Sequence, residues 1–169
     1  MYQLYQKLKY RLKAKNRHGI HSPFVYDFIE QIINGAYQSA RINQYYEKLQ
    51  TFELLQLHCT ACIAAYYNIS TFKQLNAAVD FITDPIKPNQ PSTLYVLQPH
   101  QVWPKEIIFE ENDIVIIEQI HQNQQNEIFW EHMIRQTNTS LSIDLFEIGI
   151  LLFRKDFLVK QHFVLQNRF

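Results

Sequence analysis

Asp113-Ile114-Val115-Ile116-Ile117 is the stretch of this chain that decides its fold. Its unbroken apolar run is typical of a strand in a parallel sheet that is covered on both faces. Thr93-Leu94-Tyr95-Val96-Leu97, rich in β-branched and aromatic residues, is a second strand of this kind. The two strands indicate a sheet at the centre of the protein.

The flanking segments predict helices on either side of these strands and more strands towards the C-terminus. Residues 124–135 form a helix with Ile128, Phe129, His132 and Met133 inward, and residues 140–145, 150–153 and 162–165 form strands, with Gly149 at a turn or bulge. Upstream we expect a strand at 54–57, helices at 43–52, 63–67 and 72–82, and a proline-rich loop at 84–92. This order predicts an α/β fold whose mainly parallel sheet has about five or six strands and ends in an antiparallel pair.

The N-terminal segment is basic and amphipathic. Its apolar positions recur at helical spacing (Leu4, Tyr5, Leu8, Leu12), and its cations precede the first acid, Asp27 (Lys7, Lys9, Arg11, Lys13, Lys15, Arg17). We expect this stripe to pack on the protein's own domain or across a two-fold interface, because an apolar stripe in water promotes aggregation. Binding to a membrane surface or a nucleic acid is the alternative.

A helix boundary follows at residues 17–24. Gly19 suits a left-handed C-cap, Ser22 an N-cap and Pro23 the first helical position, and a buried stripe then runs along the new helix (Phe24, Val25, Phe28, Ile29, Ile32, Ile33). His18 and His21 are two potential metal ligands, but histidines around a tight turn more often cap or pack. We therefore expect no metal site at these two histidines.

Composition describes an ordinary single domain. The 169 residues are 47% hydrophobic, and 16 Lys and Arg balance 16 Asp and Glu, so no overall charge favours a nucleic acid. The longest apolar stretches, Ile114–Ile117 and Ile148–Phe153, are far too short to span a membrane. Two cysteines suit a reducing compartment. We therefore expect a cytoplasmic protein without a membrane span.

Two segments resemble a bacterial group of class I S-adenosylmethionine-dependent methyltransferases. Residues 13–28 (KAKNRHGIHSPFVYDF) are similar to the N-terminal extension of that group, and residues 142–154 (SIDLFEIGILLFR) with 160–165 (KQHFVL) are similar to its closing strands. The resemblance implies a helical extension at 1–40 packed on a Rossmann-like domain at 41–169. It also implies a sheet order in which the strands at 54–57, 93–97 and 113–117 precede the antiparallel pair.

The cofactor site that the resemblance implies is degenerate in this chain. The family's first loop has an acid and two glycines, where this chain has Gln56, His58 and Cys62. Only three glycines are present, at 19, 35 and 149, and no two are close enough to form a ligand-cradling loop. We find no clear strand between Tyr67 and Thr93, so the family's second and third strands are predicted to be missing. Gln98 replaces an acidic loop, and Glu118-Gln119 replace two aspartates.

Three functions stay open at this point. The first is a non-catalytic relative that serves as a scaffold, with a homodimer or another protein as partner, no cofactor, no catalytic residues and a closed pocket at Gln56, His58, Cys62 and Gln98. The second is an active S-adenosylmethionine-dependent methyltransferase with a rebuilt pocket. The third is redox or metal chemistry at Cys59-Thr60-Ala61-Cys62, where a helix N-terminus could lower a thiol pKa and His58 could be a ligand.

Overall fold

The computed structural model describes residues 2–16, 19–33, 41–49, 56–69, 71–75, 93–99, 109–136 and 138–166. In chain order its helices are α1 (Tyr2–Lys13), α2 (Pro23–Phe28) with a π-helical continuation (Ile29–Ile33), α3 (Arg41–Leu49), α4 (Leu57–Tyr66) and α5 (Gln124–Arg135). Its strands are β1 (Thr71–Leu75), β2 (Thr93–Leu97), β3 (Ile114–Glu118), β4 (Leu141–Asp144), β5 (Ile148–Leu152) and β6 (Gln161–Val164).

The strands form one sheet in the order β1-β2-β3-β5-β4-β6. Pairing is parallel for β1 with β2, β2 with β3 and β4 with β6, whereas β5 is antiparallel to both β3 and β4. Five strands therefore run one way and β5 runs the other, because a short turn returns the chain from β4 straight into β5. The prediction of an α/β fold with a mainly parallel sheet and an antiparallel pair is confirmed.

Each face of the sheet carries its own core. On one face, Leu94, Val96, Ile114 and Ile116 pack with residues of the helices from α2 to α4. On the other face, alternate residues of the same strands pack beneath α5 (Tyr95, Leu97, Val115, Ile117, with Trp130 and Met133). Strands covered on both faces are apolar throughout, so the pattern at 113–117 correctly indicated a central strand.

The segment between 54 and 82 differs from the prediction. Gln56 lies in a turn and Leu57 begins α4, so the expected strand is wrong at these two residues, while 54–55 lie outside the described residues. The expected helix at 72–82 is wrong over 72–75, because β1 pairs there in parallel with β2. β1 therefore lies between Tyr67 and Thr93, where we expected no strand and predicted that two family strands are missing. Residues 76–92 lie outside the described part of the chain.

The first helix boundary is partly as predicted. Ser22 caps α2, Pro23 is its first residue, and the stripe that follows is buried apart from the partly buried Phe24. However, α1 ends at Lys13 rather than near Gly19, because Lys15 forms a parallel bridge with Leu165. Gly19 does not adopt a left-handed φ. Residues 17–18, including His18, lie outside the described part of the chain.

Two predictions near α5 need correction. Gly149 lies within β5, in close contact with the Trp130 ring, instead of at a turn or bulge. The α5 boundaries are as predicted, but its buried side chains include Trp130, while Ile128 is 60% exposed and His132 is also exposed. The indole ring of Trp130, rather than the side chain of Ile128 or His132, packs against Gly149.

The apolar stripe of α1 (Leu4, Tyr5, Leu8, Leu12) does not pack on the domain. These side chains are 66%, 65%, 55% and 89% exposed, respectively. The buried residue of this helix is Gln6. The prediction that the stripe packs on its own domain is therefore wrong, and packing across a two-fold interface stays a prediction. None of the helices in the described ranges is long and apolar enough to cross a membrane.

Candidate functional site

Two of the residues predicted for the cofactor site lie at the carboxyl edge of the sheet. Gln98 directly follows β2 and Glu118 is the last residue of β3, and these strands pair in parallel with Leu97 opposite Ile117. Glu118 is buried and Gln98 is half-buried. In open α/β sheets this edge is where ligands bind.

The other three predicted residues belong to the start of α4. Gln56 immediately precedes the helix, and its carbonyl accepts a hydrogen bond from the amide of Thr60 at 3.0 Å. His58 is exposed, with Nδ1 against the Tyr46 hydroxyl and Nε2 at 3.7 Å from the Cys62 sulfur. The chain is thus helical from Leu57 onwards, where the resemblance implied a loop.

Both thiols are in environments that oppose redox chemistry. Cys59 and Cys62 are free and buried. Burial raises the pKa of both thiols, and the nearby Cys62 also raises the pKa of Cys59. A reactive cysteine needs a lowered pKa, since the thiolate is the nucleophile. The raised thiol pKa values therefore argue against the redox hypothesis.

A second group of polar side chains, which the sequence did not reveal, lies further along the same edge. Asp144 ends β4 and His121 follows β3 by three residues, and the two strands run in the same direction. The His121 Nε2 lies 2.8 Å from the Asp144 Oδ2, and the Asp144 Oδ1 accepts a hydrogen bond from the Phe146 amide at 2.8 Å. Their side chains are only 12% and 6% exposed. We call this the His121–Asp144 pair.

The turns that carry this pair have unusual backbone conformations. Gln119 and Phe146 have positive φ angles of 59° and 71°, which non-glycine residues adopt rarely and at a cost. The Gln119 amide donates to the Glu147 carbonyl at 2.6 Å, so the two turns are joined directly. The His121 ring stacks on Phe146 at a centroid distance of 5.5 Å. These contacts fix the imidazole in place.

Two more polar side chains lie beside the pair, namely Ser142 on β4 and His162 on the neighbouring strand β6. The Ser142 hydroxyl lies 2.8 Å from the Nδ1 of His162. Burial lowers the pKa of His162, although the charge of Asp144 opposes this effect. His162 is therefore held more strongly in its neutral form than an ordinary histidine.

His121, Asp144 and His162 line a small cavity of about 110 Å³ beneath α1. Charged side chains of α1 and α5 also line it (Lys9, Lys13, Glu127). The Nδ1 of His121 is buried without a hydrogen-bond partner in the described part of the chain. The arrangement can hold an oriented imidazole for hydrogen bonding or proton transfer, but ligand pockets are typically roughly 300–1,000 Å³. A dinucleotide-sized or adenosyl ligand does not fit this cavity.

Local sequence patterns could not find this group, because His121, Asp144 and His162 come from three separate segments. One signal was present: Ser142 and Asp144 are polar residues on the same face of a strand whose other positions are apolar. Full burial of two polar side chains usually requires partners. The alternation could therefore have indicated a polar contact on one face of β4.

Comparisons with family models, with curated proteins and with solved structures gave no match to this chain.

Proposed function

We propose that this protein is a Rossmann-like, methyltransferase-like domain with a degenerate S-adenosylmethionine site, and that it serves as a non-catalytic scaffold or binding partner. The observation that carries the proposal is the start of α4 at Leu57. The residues in place of the glycine-rich loop are helical and bear side chains, so the backbone is not free to approach a cofactor closely.

The side chains at these positions also lack the expected chemistry. The resemblance places an acid at Gln56 and glycines at His58 and Cys62. Cys62 is buried, and the imidazole of His58 is engaged by Tyr46 and Cys62. A cofactor at this position would have to displace packed side chains, and it would not find the carboxylate that orients it.

The anchors on neighbouring strands are altered as well. Gln98 stands where the family has an acidic loop, and Gln119 replaces one of two aspartates, while Glu118 is still an acidic residue but is buried. A missing polar contact costs about 1–3 kcal/mol. Three of them would weaken a micromolar ligand to roughly millimolar or worse.

The closing strands support the relationship that the proposal assumes. Residues 142–154, which resemble the family's closing segment, span β4, the turn and β5. They form the expected antiparallel pair, with β5 between β3 and β4. The closing part of the sheet is thus kept, whereas the residues at the expected cofactor loop differ from those of the family. This combination favours a binding role over catalysis.

Calorimetric titration of the full chain with S-adenosylmethionine, and separately with its demethylated product, tests the proposal. We expect no saturable binding at micromolar concentration. The variant Gln56→Asp provides a comparison, since restoring one anchor should strengthen any residual binding by roughly tenfold. Saturable micromolar binding by the unmodified chain would overturn the proposal and favour an active methyltransferase with a rebuilt pocket.

A further inference from the structure

The helix α1 is turned so that its apolar side faces away from the protein. Its exposed stripe consists of Leu4, Tyr5, Leu8 and Leu12, of which Leu12 is 89% exposed. Surface helices normally direct such a stripe towards the core. A contiguous apolar strip on the surface usually marks a place that binds something.

Polar contacts on the opposite side of α1 fix this orientation. The Tyr2 hydroxyl donates to Glu127, as do Gln6 at 2.6 Å and Lys9 at 3.3 Å. Burial and this carboxylate raise the pKa of Tyr2 to about 12, so the hydroxyl remains a donor. The Tyr10 hydroxyl donates to the Leu165 carbonyl. Turning the leucines inward would break all of these contacts.

The charges along α1 indicate what could cover the stripe. The helix contains no Asp or Glu. At 100° per residue, Lys7 and Arg11 lie along one side of the stripe, and the Lys7 ammonium also lies 6.0 Å from the centre of the Phe146 ring. Lys9 lies along the other side, but its charge is paired with Glu127. An apolar strip bordered by cations is complementary to a surface that is negatively charged outside and apolar beneath.

A second copy of the chain fits this face less well. A helix of 12 residues is about 18 Å long, and a strip about 10 Å wide along it offers roughly 200 Å². Stable interfaces bury about 800 Å² on each partner. Two copies joined through this stripe would also bring their cationic borders together, where like charges repel.

We propose that α1 binds the surface of a membrane that contains anionic lipids, with the stripe of Leu4, Tyr5, Leu8 and Leu12 inserted between the headgroups. An interfacial helix of this kind lies in the plane of the membrane at a depth of about 5–10 Å. This inference rests on the orientation and charge of α1, and it does not depend on the proposed function of the carboxyl edge of the sheet.

Vesicle flotation tests the proposal directly. The full chain is mixed with vesicles of phosphatidylcholine alone, or with vesicles that also contain about 30% phosphatidylserine. The phosphatidylserine gives the second set a strongly negative surface. We expect binding only to the anionic vesicles, weakening as salt is raised. Leu8→Gln/Leu12→Gln should reduce binding at least tenfold, and Arg11→Gln should reduce it roughly fivefold.

The matched control is Leu158→Gln, which removes another exposed leucine, 97% exposed, from the loop before β6. It should bind as the unmodified chain does. Circular dichroism and sedimentation equilibrium establish that each variant is folded and report its oligomeric state. Absence of binding to anionic vesicles, equal binding by the double variant, or a dimer that the double variant converts to a monomer would each overturn the proposal.

Discussion

Gly149→Ala should destabilise the protein because of the close approach of Trp130. A Cβ at position 149 would lie 2.5, 2.7 and 2.8 Å from three carbon atoms of the indole ring, whereas separations under 3.0 Å are essentially never found. Trp130 is 2% exposed. Gly149 is paired with Ile117 on one side and with Asp144 on the other, so neither the ring nor the strand can move freely.

The expected loss follows from this geometry. Overpacking a buried site costs about 1–3 kcal/mol, and the rigid surroundings favour the upper half of that range. Replacing a glycine within a strand returns roughly 0.5–1 kcal/mol of backbone entropy. The net expectation is about 2 kcal/mol, which for a chain of this length lowers the melting temperature by roughly 4–8 °C.

Urea unfolding of Gly149→Ala and of a control variant, Gly19→Ala, provides the measurement. Gly19→Ala is the matched control, because its Cβ would lie 3.5 Å from the nearest Lys15 atom, an ordinary contact. We expect that variant to change stability by less than about 0.5 kcal/mol. Trp130→Phe should recover part of the Gly149→Ala loss in the double variant. Equal stability of the two alanine variants, or strict additivity with Trp130→Phe, would refute the reasoning.

Two further predictions concern the polar groups under α1. Asp144→Ala should lower the free energy of unfolding by about 3 kcal/mol, because the imidazole of His121 and a backbone amide lose their buried acceptor. In urea unfolding, Asp156→Ala, which removes a 57% exposed carboxylate from its ion pair with Arg154, should cost less than about 1 kcal/mol, and equal losses would contradict the assignment. Burial lowers the pKa of His162 in the folded protein, and nearby Lys13 adds to this effect, so stability should be complete above the unfolded pKa of about 6.5 and decline as pH falls below it. His162→Gln should flatten this decline between pH 8 and 5, and an unchanged slope would show that other groups cause it.

The parts of the fold that the sequence predicted well depend on short-range patterns. β2, β3 and α5 were located within one residue, since an all-apolar run and apolar residues at helical spacing are recognisable without their neighbours. β1 was missed because Phe72 and Leu75 are three residues apart, as on one face of a helix. Apolar and polar residues alternate only weakly in this segment, so the sequence gives little sign of a strand. Residues 71–75 form a strand because they pair with β2. That pairing is a tertiary interaction, which the local sequence does not reveal.

The candidate site was predictable only in part, for the same reason. Gln98 and Glu118 could be placed at one edge, because consecutive parallel strands end on the same side of a sheet. The His121–Asp144 pair depends on β5 being inserted between β3 and β4, and no local pattern specifies that order. Gln56 was assigned to a strand and His58 to the loop after it, but the chain is helical from Leu57 onwards.

The orientation of α1 accounts for both the polar cavity and the exposed stripe, because it determines which side of the helix faces the sheet. Glu127 is only 16% exposed and accepts hydrogen bonds from three side chains of α1. Leaving this carboxylate without donors would cost about 1–3 kcal/mol or more, and each α1 donor buried without a partner would add a similar amount. Burying one leucine gains about 1.5–3 kcal/mol. Leucines could offset that loss only if several were buried together, but the surface beneath α1 is lined by charged and polar groups such as His162 and Asp144. The polar side of α1 therefore faces inward, and its leucines are left available for a surface outside the chain.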